Sequence, residues 1–248
     1  MNRREVLSGL SLGAGGLLLS GCDKLNSSPA FRTILTRAEQ LHLNAQRLVA
    51  GGLAREYRPD QMSPIFRTNG NTRPASADYA AHAASNFNTW RLVVDGLVAR
   101  PLNLSLHDLG TFPQRAQITR HDCVEGWSAI GKWQGPLLGD LLKAAGINDR
   151  AKYIVFHCAD DSNGAPYYES IDLYDAFHPQ TIMALLMNDS RLAVGHGAPI
   201  RLRVERHLGY KHAKFVMRIE ARDRIDNLYQ GKGGYWEDSA DYAWYAGI

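Results

Sequence analysis

The stretch Arg120-His-Asp-Cys-Val-Glu-Gly-Trp-Ser-Ala-Ile-Gly-Lys-Trp133 places a cysteine among charged, polar and aromatic residues. A thiolate is a soft ligand that a redox metal can use, and a neighbouring cation lowers the pKa of a thiol. Free cysteines are often buried and purely structural, so this interpretation stays open for Cys123 on residue type alone. The polar residues on both sides favour a metal ligand.

The segments around this stretch predict a mixed α/β (α+β), strand-rich domain. Residues 116–119 form a predicted strand that leads directly into Cys123, so the cysteine lies where loops carry function on a rigid scaffold. Further strands are predicted at 90–98, 102–106, 152–158, 181–187 and 216–220. Short helices are predicted at 105–109, 137–145 and 172–177, and residues 57–74 are predicted to be a loop.

Composition limits the class of protein. The chain has 248 residues, 45% of them hydrophobic, which is enough for a substantial core. Its net charge is +3, from 28 basic and 25 acidic residues, and this balance argues against a nucleic-acid partner. The three cysteines, at positions 22, 123 and 158, are too few for a disulfide framework, so we expect no disulfide in the mature fold.

The first 21 residues have the pattern of an export signal. Arg3 and Arg4 precede an apolar, glycine-rich run to Leu19, which predicts a twin-arginine signal. Leu19-Ser20-Gly21-Cys22 resembles a bacterial lipobox, so we expect Cys22 to carry a lipid that anchors a periplasmic protein to a membrane. An ordinary signal cleaved elsewhere and an uncleaved anchor remain alternatives.

The remaining boundaries follow from composition and periodicity. Residues 22–56 are predicted to be a tether and an N-terminal helix at 37–53, and residues 57–225 the main domain. The aromatic and charged tail, at 226–248, is predicted either to wrap the entrance of a site or to bind a partner.

The residues Cys-Val-Glu-Gly-Trp-Ser at 123–128, Trp133 and the Gly-Pro-Leu-Leu-Gly-Asp-Leu-Leu run that ends at Leu142 resemble the molybdenum-ligand segment of the sulfite oxidase family. That family includes the periplasmic methionine sulfoxide reductase catalytic subunits. The likeness covers residues 66–220 and implies a sulfite oxidase-type fold. It also implies a molybdenum-molybdopterin cofactor whose metal is bound by Cys123.

The same resemblance implies roles for three residues before and after the cysteine. Arg67 falls near the family's active-site arginine, which would neutralise an anionic substrate, although the spacing is not identical. Tyr167 falls where a tyrosine would position the substrate at the metal, with Tyr168 as an alternative. Cys158 would lie against the pterin, although a packed strand-end cysteine explains it equally well.

Several further positions match family segments that hold the cofactor. The cluster of Arg201, Lys211, His212 and Lys214 would bind its phosphate, because a phosphate needs several charge-assisted donors at once. A solvated basic strand face is the alternative. The complete set of expected cofactor contacts is Arg67, Asn69, Gly70, Cys123, Cys158, His196, Arg201, His212, Ala213 and Lys214. Residues 204–207 depart from the family pattern, which puts the wall of the substrate pocket in doubt.

The implied reaction is two-electron oxygen-atom transfer with a small sulfur-containing substrate. Arg67 favours sulfite-type oxidation, because methionine sulfoxide is neutral and needs no arginine. The chain contains no Cys-x-x-Cys-His haem motif, so electrons would pass to a separate haem or cytochrome partner. One alternative is a methionine sulfoxide-type reductase that receives electrons from a membrane haem protein. Another is a non-catalytic binding lipoprotein on the same fold.

Overall fold

The computed structural model describes residues 28–49, 52–162 and 164–248, and these described residues fall into two units that are divided between Gly52 and Leu53. The predicted signal at 1–21 and the predicted lipidation of Cys22 lie outside the described residues. The first unit contains helix α1 (Pro29–Val49), which begins eight residues before the predicted start at 37. Proline at a first helical position needs no hydrogen bond, so Pro29 can begin the helix. Among the residues described, no helix is long and apolar enough to cross a membrane.

The second unit is a mixed, strand-rich α/β fold, as the sequence predicted. Its strands within 53–162 and 164–248 are β1 (Leu92–Gly96), β2 (Leu102–Leu104), β3 (Gln114–Cys123), β4 (Trp127–Pro136), β5 (Tyr153–Ser162), β6 (Ala165–Asp172), β7 (Ile182–Ala184), β8 (Leu186–Met187), β9 (Ser190–Arg191), β10 (Arg201–Arg203) and β11 (Val216–Arg222). Its α-helices are α2 (Ala77–Ala84), α3 (Leu106–Thr111), α4 (Leu138–Ala145), α5 (Leu173–Ala176) and α6 (Tyr235–Ala240). Its 3₁₀ turns are Pro59–Gln61, Val194–His196 and Gly209–Lys211.

A five-stranded sheet in the order β2-β1-β11-β5-β6 carries the main core. The pair β1–β11 is parallel, and the other pairs of this sheet are antiparallel. Helix α4 packs its apolar stripe, at helical spacing, into the same core, where Leu138, Leu141, Leu142 and Ala145 are fully buried. The helix ends at Gly146, whose φ of 67° lies in the left-handed region, so the predicted stop is confirmed.

Strands β3 and β4 form a long hairpin in a second sheet, ordered β3-β4-β8-β9. The last pair of the hairpin register joins Cys123 to Trp127, and Gly126 takes a φ of 84° in the turn between them. The register therefore fixes Cys123 at the tip of a ten-residue strand. Strand β4 was missed by the sequence analysis.

Glycines at inward positions of β4 weaken the alternation of apolar and polar residues that would predict a strand. A Cβ atom at Gly135 would lie 2.0 Å from the carbonyl oxygen of Met183, so only glycine allows the neighbouring chain to approach this closely. The same strand buries Ala129 and Trp133 on its inward face. A strand with small residues at inward positions gives a weak hydrophobic signal, although it is packed tightly.

Two other segments differ from the predictions. Helix α2 was not predicted; the Ser76 hydroxyl caps it by accepting a hydrogen bond from the Tyr79 amide at 3.2 Å. Within the tail, α6 buries Tyr235 and Glu237, so this segment is integrated into the domain. The predicted boundary between domain and tail at 225 is not tested by these contacts.

Candidate active site

A cavity of about 180 Å³ opens beside the tip of the β3–β4 hairpin. Its walls come from separate parts of the chain, namely the loop before α2, the hairpin tip, the ends of β5 and β6, the segment after β10 and the tail. Its lining residues are Asn69, Gly70, Asn71, Cys123, Val124, Glu125, Asp160, Tyr167, Gly209, Tyr210, His212, Lys214, Trp236 and Tyr242.

Cys123 is the thiol that lines this cavity. It is a free cysteine with 9% of its surface exposed. Burial raises the pKa of the thiol, and the charge of the Glu125 carboxylate also acts to raise it. The backbone hydrogen bond at Glu125 and the charges of Arg201 and Lys214 lower the pKa but only partly offset the effect of burial. Arg120 pairs with Asp122 at 2.9 Å. The thiol therefore keeps its proton at neutral pH unless a metal ion displaces it.

Two buried cations lie behind Cys123. The Lys214 ammonium donates to the carbonyl oxygens of Asn69, at 2.7 Å, and Asn71. The fully buried Arg201 guanidinium donates to the carbonyl oxygen of His212 at 3.3 Å. Within the described part of the chain, neither cation has a carboxylate within ion-pair distance. Buried charges are normally paired, so this arrangement indicates an anionic ligand.

The lowered pKa values of these two cations also indicate an anionic ligand. Burial, with the repulsion of Arg201, lowers the pKa of Lys214 to about 7. Burial, with the repulsion of Arg203, lowers the pKa of Arg201 to about 9. A bound phosphate would raise the pKa of both groups, because an opposite charge favours the cation.

Buried imidazoles add polar atoms that have no hydrogen-bond partner among the described residues. These atoms are Nε2 of His121, Nδ1 of His212 and Nδ1 of His196, together with Nε of Arg201. The rings of His121 and His212 lie 5.1 Å apart, nearly perpendicular to each other. Buried polar atoms without partners are rare, so they also indicate that a polar ligand belongs here.

Glycine keeps this side of the cavity open. A Cβ atom at Gly209 would lie 2.6 Å from Nε2 of His121. Any side chain at this position would fill the space in front of that ring. The cradle of cations, imidazoles and open backbone fits a flat, polar, phosphate-bearing heterocycle such as a pterin.

Tyr167 lines the cavity, and its hydroxyl donates to the carbonyl oxygen of Tyr210 at 3.1 Å. Burial and the charge of Glu169 raise the pKa of Tyr167 well above its usual range, so its hydroxyl is a proton donor at neutral pH. Tyr168, the alternative, donates instead to Asp238 on the far side of β6.

The structure does not bring every predicted residue to the cavity lining, from which His196, Arg201, Lys211 and Ala213 are absent. The Lys211 ammonium is paired with Glu169 and Glu237 instead. Arg67 is exposed and does not line it, although its neighbours Asn69 and Gly70 do. Cys158 also lies off the cavity, and burial raises the pKa of its thiol well above the usual value. This environment fits the packed strand-end cysteine that the sequence left open. Ala213 is buried and accepts a hydrogen bond from the Leu202 amide at 2.8 Å.

Two acidic lining residues, Asp160 and Glu125, were missed. Burial raises the pKa of Asp160 to about 6. Their positions in the sequence could have indicated both residues. Asp160 follows a buried strand pattern, and Glu125 follows Cys123 in the same motif. Trp236 and Tyr242 were assigned only generally, as part of an aromatic tail.

Comparison with known proteins now identifies the family. The family described as the oxidoreductase molybdopterin binding domain matches residues 79–229. The putative protein-methionine-sulfoxide reductase subunit YedZ1 of Azospira oryzae is 37% identical, over all of this chain and 86% of its own length. The chain belongs to the molybdopterin-binding oxidoreductase family. It is therefore an oxidoreductase enzyme, and its sulfite oxidase-type fold is confirmed.

Two other relatives are more distant. The protein-methionine-sulfoxide reductase catalytic subunit MsrP of Campylobacter jejuni is 33% identical over 68% of this chain and 60% of its own length. The sulfane dehydrogenase SoxCD of Paracoccus pantotrophus has a solved structure that matches with a TM-score of 0.52 and 23% identity. That match covers 56% of this chain and 40% of the dehydrogenase chain, and it supports the fold alone.

Proposed function

We propose that this protein is a molybdenum-molybdopterin oxidoreductase that reduces a sulfoxide of the methionine sulfoxide type. The observation that carries the proposal is a cavity lined by a buried thiol, Cys123, and a buried cation, Lys214. The buried Arg201 lies close enough to lower the pKa of the thiol, and among the described residues neither cation forms an ion pair with a carboxylate. The family supplies the cofactor that such a donor set fits.

The residues divide the work of holding this cofactor. Cys123 Sγ would bind the molybdenum, and the Lys214 and Arg201 nitrogens would bind the pterin phosphate. The imidazoles of His121, His196 and His212 would hydrogen-bond the heterocycle. When bound, the cofactor supplies two-electron oxygen-atom transfer, while the protein supplies binding, orientation and electrostatics.

Tyr167 is the residue best suited to act on the substrate. Tyr167 lines the cavity and its hydroxyl keeps its proton at neutral pH. On substrate binding, the hydroxyl would exchange its hydrogen bond to the Tyr210 carbonyl oxygen for one to the oxygen of a bound sulfoxide. Glutamine and serine side chains are also polar, but neither has an aromatic ring that would fill the space occupied by the ring of Tyr167.

The direction of the reaction rests on charge. Sulfite is an anion, and its predicted partner, Arg67, is exposed and lies outside the cavity lining. The names of two relatives point to sulfoxide reduction as well. The sulfite-type direction favoured by the sequence has lost its main support.

Electrons would come from a separate haem or cytochrome partner, because the chain contains no Cys-x-x-Cys-His motif. We also propose a periplasmic location, reached by the twin-arginine route and maintained by a lipid on Cys22. These proposals rest on Arg3, Arg4 and the lipobox-like residues 19–22.

Two assays on the same purified holoenzyme test the direction. A reduced dye should drive turnover of methionine sulfoxide, and an oxidised acceptor should give little or no turnover with sulfite. Activity with sulfite alone would overturn the proposed direction. A protein that binds no molybdenum would favour the non-catalytic alternative.

A further inference from the structure

The cavity is completed by residues that the family match does not include. That match ends at residue 229, but Trp236 and Tyr242 line the cavity from the tail beyond it. This wall is therefore supplied by the part of the chain that is additional to the family's matching segment.

Buried polar contacts fix the tail in place. The fully buried Lys211 ammonium pairs with Glu169, at 2.7 Å, and with Glu237 of helix α6. The Tyr168 hydroxyl donates to the Asp238 carboxylate at 2.5 Å. A buried, paired charge network is costly to break, so the tail is a fixed wall of the cavity and does not need a ligand to order it.

A third contact holds the far end of the wall. The Tyr210 hydroxyl donates to the carbonyl oxygen of Ala243 at 2.6 Å, and the rings of Tyr210 and Tyr242 lie 5.1 Å apart. Tyr210 itself lines the cavity. The position of Tyr242 is thus tied to the same segment that carries the cofactor cradle.

The wall is aromatic and partly open to solvent. The rings of Trp236 and Tyr242 stack with their centroids 5.7 Å apart and their planes 23° apart. Tyr242 has 36% of its surface exposed, and Val124, which follows Cys123 at the hairpin tip, has 44%. These two partly exposed lining residues mark an apolar entrance to the cavity.

Aromatic rings of this kind suit a particular class of ligand. Ring edges and faces make favourable contacts with sulfur and with the methyl and methylene groups beside it. A sulfoxide with alkyl groups on both sides of its sulfur suits such a wall.

We propose that Trp236 and Tyr242 are specificity-determining residues that hold the alkyl chain of a sulfoxide carried on a polypeptide. The inference rests on the proposed sulfoxide reduction and assigns the substrate-selecting wall to the tail. The exposed entrance formed by Val124 and Tyr242 leaves room for the polypeptide to continue outward, which a closed pocket for a free small molecule would not need.

Steady-state kinetics on the molybdenum-loaded protein test this assignment. The substrates are a peptide that contains methionine sulfoxide and dimethyl sulfoxide, each with a reduced dye as donor. For Trp236→Leu and Tyr242→Leu, the ratio of kcat/KM for the peptide to that for dimethyl sulfoxide should fall about tenfold, mainly through KM. Leucine keeps apolar volume, and molybdenum content checks that each variant is folded and loaded.

Phe177→Leu is the matched control. Phe177 is a partly exposed aromatic residue at the end of α5, with 38% of its surface exposed, and it does not line the cavity. Its variant should keep the wild-type ratio. An unchanged ratio in both wall variants would overturn the specificity wall while leaving sulfoxide reduction in place. Failure of the loaded wild-type protein to turn over either sulfoxide would instead overturn the proposed function itself.

Discussion

At the scale of single residues, burial and charge act against each other around Cys123. Burial raises the pKa of its thiol, but the nearby Arg201 and Lys214 favour its anion. Neither cation is neutralised by a carboxylate within the described residues, so the site has an excess of buried positive charge. A metal ion bound to the thiol would offset the cost of burying its anion. A phosphate bound to the two cations would offset the cost of burying their charge.

Replacing the thiol tests its assigned role. Cys123→Ser should abolish turnover, because a serine hydroxyl is a poorer soft-metal ligand than a thiolate. The matched control is Cys158→Ser, which alters a cysteine outside the cavity lining and should retain activity. Turnover and bound molybdenum are measured together, and wild-type activity in Cys123→Ser would show that another group binds the metal.

Removing a buried cation should have opposite effects on the loaded and unloaded proteins. Lys214→Met should lower the cofactor content at least about tenfold, since truncating one partner of a buried charge pair costs about 2–5 kcal/mol. The cofactor-free variant should be more stable than the cofactor-free wild type at pH 7, because it no longer buries an unpaired ammonium.

The control for this change is Lys152→Met, because Lys152 is exposed. Pterin content and urea unfolding of the cofactor-free proteins are the two readouts. Normal pterin content in Lys214→Met would mean that Lys214 does not bind the phosphate.

The sequence could predict residues whose role depends on local order, and it was weaker where the role depends on packing. Cys123 and Lys214 are brought to the cavity by the strand or turn that carries them, and short motifs predict such placement. Arg67 lies two residues from the cavity-lining Asn69, yet its own side chain is exposed. Which member of an irregular loop faces inward is fixed by tertiary contacts that no local pattern contains.

At the scale of elements, the segment at 204–207 is held by helix α5. The Asp175 carboxylate accepts from Arg206 at 2.7 Å and from His207 at 3.1 Å. Burial alone would raise the pKa of Asp175, but the hydrogen bond from His207 and the Arg206 guanidinium hold it well below its usual value. Arg206 and His207, which belong to the segment that departs from the family pattern, are therefore held in place by Asp175.

This contact predicts how stability depends on pH. The pKa of Asp175 is lower in the folded state than the value of about 3.9 in the unfolded chain, so its stabilising contribution is complete above about pH 4. It is lost as the pH falls further and the carboxylate is protonated. The contribution should be roughly 2 kcal/mol.

Urea unfolding between pH 3 and pH 7 measures this effect. Asp175→Asn should lower the stability at pH 7 and flatten the loss of stability towards acid pH. The exposed Asp189→Asn serves as the control. Curves for Asp175→Asn and wild type that stay parallel down to pH 3 would contradict the assigned role.

Elements with a clear period were predictable. Helix α4 was found because its apolar residues recur at helical spacing and Gly146 ends it. Strand β4 was missed because Gly131 and Gly135 occupy inward positions, where close approach of Phe66 and Met183 replaces side-chain burial. Its existence follows from the pairing with β3, which is a property of the sheet.

At the scale of the whole molecule, the site is assembled from distant parts of the chain. The loop near Asn69, the hairpin tip at Cys123, the segment at 209–214 and the tail at 236–242 meet at one cavity. The sequence indicated the family, and with it the fold and the cofactor. No local pattern in the sequence predicts that these four segments meet at one cavity. The tail contributes through buried contacts, such as Lys211 with Glu237, that are remote in sequence.

The central claim is that Cys123, Arg201 and Lys214 together hold a molybdenum-molybdopterin cofactor. Metal and pterin analysis of the protein, purified from cells that make this cofactor, tests it most directly. The account predicts about one molybdenum and one pterin per chain. Protein that is folded under these conditions but contains neither would contradict it.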